Sequence, residues 1–95
     1  MARDAYLVSY DVADDKRRNR IHDTLLDYGD HLQFSVFLCE LNRAELVALR
    51  TQLQDTVNAV EDQVLLLHIG APPTLESALA TIGKPRVVAA RIQVV

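Results

Sequence analysis

The chain has few of the residues that interrupt or cross-link a fold. Its 95 residues include 3 Gly, 3 Pro and 1 Cys, whereas 49% are hydrophobic and 24% are charged. This composition is typical of a folded globular protein and excludes a disordered or low-complexity chain. The single cysteine, Cys39, excludes an internal disulfide and a cysteine zinc cluster, and its apolar surroundings predict a small buried side chain.

Long apolar runs are also missing. No uncharged stretch approaches the roughly 18 residues that a membrane span requires, and the first four residues hold no apolar signal-peptide core. We therefore expect a cytoplasmic protein with no membrane partner. The net charge of −3 argues against indiscriminate nucleic-acid binding, although charge can be concentrated on one face. The length predicts one domain over 1–95, with a modest core that an oligomer would help to stabilise.

Strand and helix patterns alternate along the first part of the chain. Residues 5–12 are predicted to form a strand, and residues 15–28 an amphipathic helix. Asp14 or Asp15 is placed to cap the start of that helix, and Gly29 is expected to end it in a left-handed conformation. Both ends of the first helix are therefore marked in the sequence.

The second half repeats this alternation. Apolar residues with a period of two over 32–39 predict one kinked strand or two short strands. Asn42 and Glu45 have the spacing of a capping box, which predicts a second helix. The continuous apolar run 64–69 predicts a buried strand. The apolar positions of the second helix are Leu46, Leu49, Leu53 and Val57.

The C-terminal part is expected to contain a short helix or turn over 74–82 and a strand over 86–95. That last strand is apolar to its end and would aggregate as an exposed edge, so we expect it to pair with a second copy of the chain. The element order predicts an α+β fold, a ferredoxin-like βαββαβ sandwich with an extra C-terminal strand. Such a fold by itself implies no function.

The most informative stretch, residues 9–21, combines an acid with a basic helix. Asp11 falls where the first strand ends and lies close to the helix N-terminus. A carboxylate in that position is suited to hold a hard cation or to meet a nucleic-acid phosphate through one. The alternative is that Asp11 is an ordinary turn residue.

Two motifs and three shorter features share their spacing with one known family: YDVADDKRRNR at 10–20, QFSVF at 33–37, Glu40-Leu41, Asp62, and 76–83. By these residues most of the chain resembles the CRISPR-associated protein two family, the smaller core protein of CRISPR spacer acquisition. The resemblance implies a homodimer in which the C-terminal strand, 84–95 here, adds to the sheet of the partner. It also implies that the dimer bridges two dimers of the CRISPR integrase and holds double-stranded DNA.

The resemblance further implies metal-dependent endonuclease activity on RNA or double-stranded DNA. Some relatives show this activity, and others do not need it. One Asp is a poor site for Mg²⁺, which normally takes one or two carboxylates with water and phosphate. Two Asp11 side chains related by a two-fold axis would supply the pair, with Mg²⁺ or Mn²⁺ shared between two chains. Asp11 is then both metal ligand and catalytic residue, because the cation would polarise a phosphoryl oxygen and acidify a bound water.

The resemblance also assigns roles to basic residues. Arg18 and Arg20 would accompany the acid as catalytic residues that contact phosphate or orient the carboxylate. We expect the Arg18 stem to pack while its guanidinium reaches toward the strand end or the dimer axis. Nucleic-acid-binding candidates are Lys16, Arg17 and Arg20. A solvated face on which Lys16 and Arg20 pair with Asp23 and Asp27 is the alternative.

Three more residues match the family motifs. Tyr10 precedes the acid, and core packing is the favoured role over stacking with a base. By resemblance Ser35 lies near the metal region and Phe37 near the dimer interface, although both also suit ordinary sheet packing.

The three histidines are predicted to lie on separate elements. His31 stands where the family commonly has Arg, so its positive charge at neutral pH is partial and the nuclease expectation is weaker. His22 and His68 form no cluster with metal-ligand spacing, so a zinc site is not expected.

Two rival functions remain open. One is a free-standing metal-dependent endoribonuclease of the toxin type, similar to virulence-associated protein D relatives that share this fold. The other is a small regulatory module that binds a metabolite, for which the sequence has no Gly-rich phosphate loop. Loss of RNA cleavage in Asp11→Ala with the dimer retained would favour the first, and ligand-induced thermal stabilisation the second.

Overall fold

Six helices and strands make up the described part of the chain, residues 2–72 and 78–84 of a computed structural model. They are β1 (Asp4–Asp11), α1 (Asp15–Leu26), β2 (Gly29–Gln33), β3 (Val36–Leu41), α2 (Arg43–Thr56) and β4 (Gln63–Gly70). The strand predicted over 86–95 lies outside the described residues, as does much of the predicted segment 74–82. Within 2–72 and 78–84 no helix is long and apolar enough to cross a bilayer.

The four strands form one antiparallel sheet in the order β2-β3-β1-β4. Each helix connects two strands that are separated by one other strand, which is the split βαβ connection of a ferredoxin-like sandwich. The predicted α+β class and βαββαβ order are therefore confirmed. The apolar run 32–39 forms two strands, β2 and β3, joined by a tight hairpin.

Both helices pack on one face of the sheet. The core there includes Val8 of β1, Phe37 of β3, and the buried residues Ile21, Leu25, Leu49 and Leu53 of the helices. Burying several such side chains completely contributes about 1.5–3 kcal/mol each. This packing holds the carboxyl end of β1 next to the start of α1.

The opposite face of the sheet is apolar along β4. Leu65 and Leu67 are 56% and 60% exposed and lie opposite Ser9 and Leu7 of β1. The strand predicted over 64–69 is therefore confirmed, but the prediction that it is buried was wrong. β4 is an edge strand whose helix-facing residues are partly buried, and the described helices do not cover its other face.

The helix starts follow the predicted caps. Asp14 is the N-cap of α1, and its carboxylate accepts a hydrogen bond of 2.9 Å from the backbone N–H of Arg17. Asn42 accepts from the Glu45 N–H at 2.8 Å, while the Glu45 carboxylate accepts from the Asn42 N–H at 2.9 Å. The capping box of α2 is confirmed, and each cap satisfies backbone donors that the helix leaves unpaired.

Gly29 has a different role from the one predicted. Helix α1 ends at Leu26, and Gly29 is the first residue of β2, without a positive φ. A Cβ at Gly29 would lie 2.4 Å from the Leu38 carbonyl oxygen and 2.5 Å from the Cys39 sulfur. The left-handed C-cap was therefore a wrong prediction, because this glycine is required by close contact between β2 and β3.

Cys39 is fully buried in β3, as predicted. Burial, together with a smaller effect of the nearby Asp30 carboxylate, raises the pKa of its thiol to about 12. A thiol that stays protonated is a poor nucleophile and a poor metal ligand. Cys39 is therefore a core residue in this fold.

Candidate nucleic-acid and metal site

Asp11 is the last residue of the central strand β1. Its side chain is exposed, and it lies opposite Gln63 of β4. Since side chains alternate along a strand and Tyr10 faces the helices, Asp11 shares the open face with Leu7 and Ser9. The structure thus places this carboxylate at the edge of the apolar face rather than inside the helix-facing core.

Arg18 is fixed at the same end of β1. Its Nη1 donates a hydrogen bond of 3.0 Å to the Val12 carbonyl oxygen, and its Nη2 forms an ion pair with Asp15. The guanidinium therefore reaches toward the strand end, as predicted. An arginine has five N–H donors in a fixed plane, so these two contacts leave others for a phosphate.

Lys16 and Arg20 extend from α1 into solvent. Both are exposed, and within residues 2–72 and 78–84 neither forms an ion pair with Asp23, Asp27 or another carboxylate. The alternative of an ion-paired helix face was therefore wrong for these two residues. Exposed pairs gain little in water and restrict two long side chains, which explains why the spacing alone does not produce them.

Arg17 is occupied inside the protein. Its Nε lies 2.8 Å from Oδ2 of Asp62, and its Nη2 lies 3.0 Å from a carboxylate oxygen of Glu61. The Asp62 side chain is 0% exposed and also accepts from the backbone N–H groups of Ala13 and Asn58. Arg17 thus ties α1 to the segment before β4, so its charge is largely neutralised before any nucleic acid approaches.

These contacts change the acid–base properties of the pair. Hydrogen bonds from the Arg17 guanidinium hold the pKa of Asp62 well below its usual range, and the Asn58 and Ala13 N–H groups lower it further. The same contact raises the pKa of Arg17. Both groups are therefore charged at neutral pH.

Two aromatic residues of the motifs, Tyr10 and Phe37, belong to the core. Tyr10 is 5% exposed, and its ring lies 6.4 Å from that of Phe37, which is fully buried within the chain. Burial raises the pKa of the Tyr10 hydroxyl more than Arg18 lowers it. Ser35 lies in the β2–β3 hairpin, where its carbonyl oxygen accepts from the Tyr10 N–H at 3.1 Å. Tyr10 therefore packs the core, the role favoured from the sequence.

Two histidines that were predicted to lie on separate elements without forming a cluster, His22 and His31, are in contact. The ring centroids of His22 and His31 lie 5.0 Å apart, and His31 stacks at 4.8 Å on Phe37. His31 is opposite Phe37 in the β2–β3 register, which places it beneath His22 of α1. The sequence pattern of the helix or of the strand alone cannot reveal this contact, because it depends on how β2 is aligned with β3.

His68 lies on β4, at the opposite edge of the sheet from His31. Its Nε2 is 2.7 Å from Oδ2 of Asp4, and its ring lies 5.0 Å from that of Tyr6. Among the residues that the structure describes, no three His, Cys, Asp or Glu side chains come together as a metal site. Within one chain Asp11 therefore stands as one exposed carboxylate, whereas Mg²⁺ normally takes one or two carboxylates together with water and phosphate.

The fold and the site define a small α+β protein of ferredoxin-like architecture. Its central strand ends in an exposed acid, Asp11, and the adjoining helix carries Lys16 and Arg20, two exposed cations with no ion-pair partner in the described part of the chain. Residues 4–73 match the family described as CRISPR associated protein Cas2. The chain belongs to this family.

Individual relatives agree with this assignment. The chain is similar to the CRISPR-associated endoribonuclease Cas2 of Geobacter sulfurreducens, with 35% identity over 79 residues that cover 83% of each chain. It is also 35% identical to the CRISPR-associated endoribonuclease Cas2 1 of Rhodospirillum rubrum, over 87% of this chain and 81% of that one. Among solved structures it resembles Streptococcus pyogenes Cas2, with a TM-score of 0.74, 27% identity, and coverage of 83% and 99% of the two chains.

Proposed function

We propose that this protein is a homodimeric subunit of CRISPR adaptation that bridges dimers of the CRISPR integrase and holds double-stranded DNA. Besides family membership, the observation that supports this function is the group of cations at one end of β1. Lys16 and Arg20 are exposed and unpaired within the described part of the chain, and Arg18 is anchored beside them. Their common position suits a run of phosphates.

Such a surface would bind the DNA backbone rather than read its bases. Phosphate contacts fix the position of a duplex but carry no sequence information directly. The net charge of the chain is −3, so binding would depend on this local group of cations and would weaken steeply with salt. A protein that holds DNA of any sequence during integration requires this kind of contact.

The homodimer is supported by the open face of the sheet. Leu65 and Leu67 are each more than half exposed there, and Asp11 lies at the border of the same face. An exposed apolar stripe on an edge strand favours association of two copies. A two-fold axis beside this face would also bring the two Asp11 carboxylates toward each other.

A divalent metal, Mg²⁺ or Mn²⁺, would then be held by Asp11 from each chain. When bound, such a cation polarises a phosphoryl oxygen and lowers the pKa of a coordinated water. Arg18, oriented by Val12 and Asp15, would contact the phosphate, and Arg20 would contribute a second positive charge. These residues would support an endonuclease step on RNA or double-stranded DNA.

The proposal is tested by reconstitution with the integrase encoded beside this protein. Insertion of a short duplex into a repeat-bearing plasmid is measured with no protein, with wild type and with Asp11→Ala. Insertion that requires the protein but tolerates Asp11→Ala supports the bridging function and makes the acid dispensable for it. Equal insertion without the protein would overturn that function.

A free-standing endoribonuclease is the second candidate. The Geobacter and Rhodospirillum relatives are endoribonucleases by name, and the exposed Asp11 carboxylate is accessible to a cation. Cleavage of RNA that requires Mg²⁺, stops with chelator and is lost in Asp11→Asn, with the dimer intact, would support it. Cleavage that survives Asp11→Asn would trace to another centre or to a contaminant.

A further inference from the structure

A small cavity lined by both polar and apolar groups opens between the start of α1 and the β2–β3 hairpin. Its volume is about 230 Å³, and its lining includes Arg18, Asn19, His22, His31 and Phe34. Among the described lining residues none is acidic, although Asp15 pairs with Arg18 and Asp23 lies 3.8 Å from His22. The cavity is on the helix side of the sheet, whereas Asp11 is on the open face.

The groups around this cavity are donors and rings. Arg18 retains N–H donors beyond its contacts with Val12 and Asp15, and Asn19 adds an exposed amide. Nε2 of His31 is 3.1 Å from the Phe34 carbonyl oxygen, and His22 packs edge-on against His31. A cation, an amide and two imidazoles together suit a phosphate and its sugar.

The hairpin that borders the cavity carries an exposed aromatic residue. Phe34 is one of the two residues that join β2 to β3, and it is 87% exposed. Two-residue hairpin turns favour Asn, Asp or Gly, so turn geometry does not require Phe at this position. An exposed ring next to phosphate-binding groups provides a surface on which an unpaired base stacks.

We infer that this cavity is a site for one unpaired nucleotide, with the phosphate near Arg18 and the base stacked on Phe34. Sites that enclose a whole drug-sized ligand measure about 300–1,000 Å³, so a cavity of about 230 Å³ holds only part of a nucleotide. The base therefore lies at the rim, where the Phe34 ring is exposed. The inference rests on the proposed nucleic-acid function and adds unpaired nucleotides to its ligands.

Fluorescence offers a direct test because the chain has no tryptophan. The indole introduced by Phe34→Trp is the only one in the chain, so its fluorescence reports on this position alone. A stacked base should quench that fluorescence, and the quenching should saturate with ligand concentration. The ligands are a 5′-phosphorylated single strand of about eight nucleotides, in DNA and RNA forms, the matching blunt duplex, and free nucleoside monophosphate. Absence of quenching by both the single strands and the monophosphate would overturn the inference.

Binding of labelled single strands gives the second measurement. Phe34→Ala should weaken binding by at least about fivefold, since stacking of one base contributes that much or more, whereas Phe34→Tyr should bind within about twofold of wild type. Val60→Ala is the matched control, because Val60 is 94% exposed and is not among the residues that line the cavity. Unchanged binding in Phe34→Ala, or an equal loss in Val60→Ala, would contradict the proposed site.

A competition experiment distinguishes a site for free mononucleotides from a site for one nucleotide of a longer strand. Displacement of the single strand by free monophosphate would identify a site for mononucleotides, and failure to displace it would identify a subsite for a strand; either result supports nucleotide binding. The duplex measurement separates this inference from the proposed function. Wild type that does not bind duplex contradicts the DNA-holding function, whereas normal duplex binding with no dependence on Phe34 contradicts the nucleotide site alone.

Discussion

Arg17 and Asp62 are 45 residues apart in the chain and are joined by two hydrogen bonds, Nε to Oδ2 at 2.8 Å and Nη2 to Oδ1 at 3.2 Å. The same carboxylate accepts from the Ala13 N–H at 3.0 Å. Ala13 lies two residues after Asp11, so Asp62 holds in place the turn that leads away from the candidate metal ligand. The first turn of α1 and the segment before β4 therefore support the site together.

This pair predicts a loss of stability in acid. The folded-state pKa of Asp62 is well below its ordinary value, and the pKa values of Asp14 and Glu45 are lowered as well. The unfolded chain therefore takes up protons first as the pH falls below about 4. The stabilisation is complete above about pH 5 and declines through pH 3 and below, which thermal melts at several pH values measure.

Asp62→Asn identifies the contribution of this carboxylate. The variant should melt at a lower temperature than wild type at pH 7, because Arg17 loses its charged partner. Its melting temperature should also fall less between pH 5 and pH 3 than that of wild type. Asp55→Asn, at an exposed position of α2, is the control. An Asp62→Asn variant as acid-sensitive as wild type would rule out this explanation.

Much of this arrangement could be predicted from the sequence because it depends on local patterns. The caps at Asp14 and Asn42, the helix periodicity and the end of the strand at Asp11 each depend on residues that are close together in the sequence. The contacts of Arg17 with Asp62 and of His22 with His31 could not be predicted in this way. The first contact joins residues 45 positions apart and the second joins two consecutive elements, and only the sheet register and the helix packing bring these side chains together.

Gly29→Ala should be strongly destabilising for steric reasons. The added methyl group would overlap the Leu38 carbonyl and the Cys39 sulfur, so β2 and β3 would have to separate locally. Overpacking of this kind costs about 2–3 kcal/mol. Gly83→Ala is an informative comparison, because Gly83 has a φ of 93° but no atom within 4 Å of the added Cβ. We expect a cost of about 1 kcal/mol there, and equal costs in urea unfolding would contradict this account.

The exposed cations of α1, Lys16 and Arg20, should each contribute to duplex binding. Lys16→Ala and Arg20→Ala should each reduce the slope of log K against log salt by about 1, because each removes one phosphate contact. Arg3→Gln is the control, since Arg3 is paired with Glu45 at 2.7 Å and precedes the other end of β1. Fluorescence anisotropy over a range of salt concentrations measures the slopes. Equal slopes for all three variants would contradict a localised DNA surface.

The Cys39 thiol should report unfolding. Burial raises its pKa to about 12, so in the native protein it should react with a thiol reagent only when the fold opens. Its reaction at neutral pH should therefore be slow and should accelerate in denaturant along with the loss of circular dichroism. Rapid labelling of the native protein would indicate that β3 opens locally.

The open face of the sheet leads to a prediction about assembly. If Leu65 and Leu67 lie in the dimer interface, Leu67→Asp should place a charge there without disturbing the helix-facing core, since Leu67 is 60% exposed in one chain. An unpaired charge at an apolar interface is costly, so the variant should be monomeric at concentrations where wild type is dimeric. Light scattering coupled to size-exclusion chromatography measures the mass, and circular dichroism checks the fold.

Val60→Asp is the matched control for this substitution. Val60 is 94% exposed and precedes β4, so the same added charge should leave the mass of the dimer unchanged. Because the proposed metal site needs Asp11 from both chains, Leu67→Asp should also lose any Mg²⁺-dependent cleavage, although it retains every residue of the site. A dimeric Leu67→Asp variant would show that the two copies meet through another surface, and the two Asp11 carboxylates would then need a different geometry to share a cation.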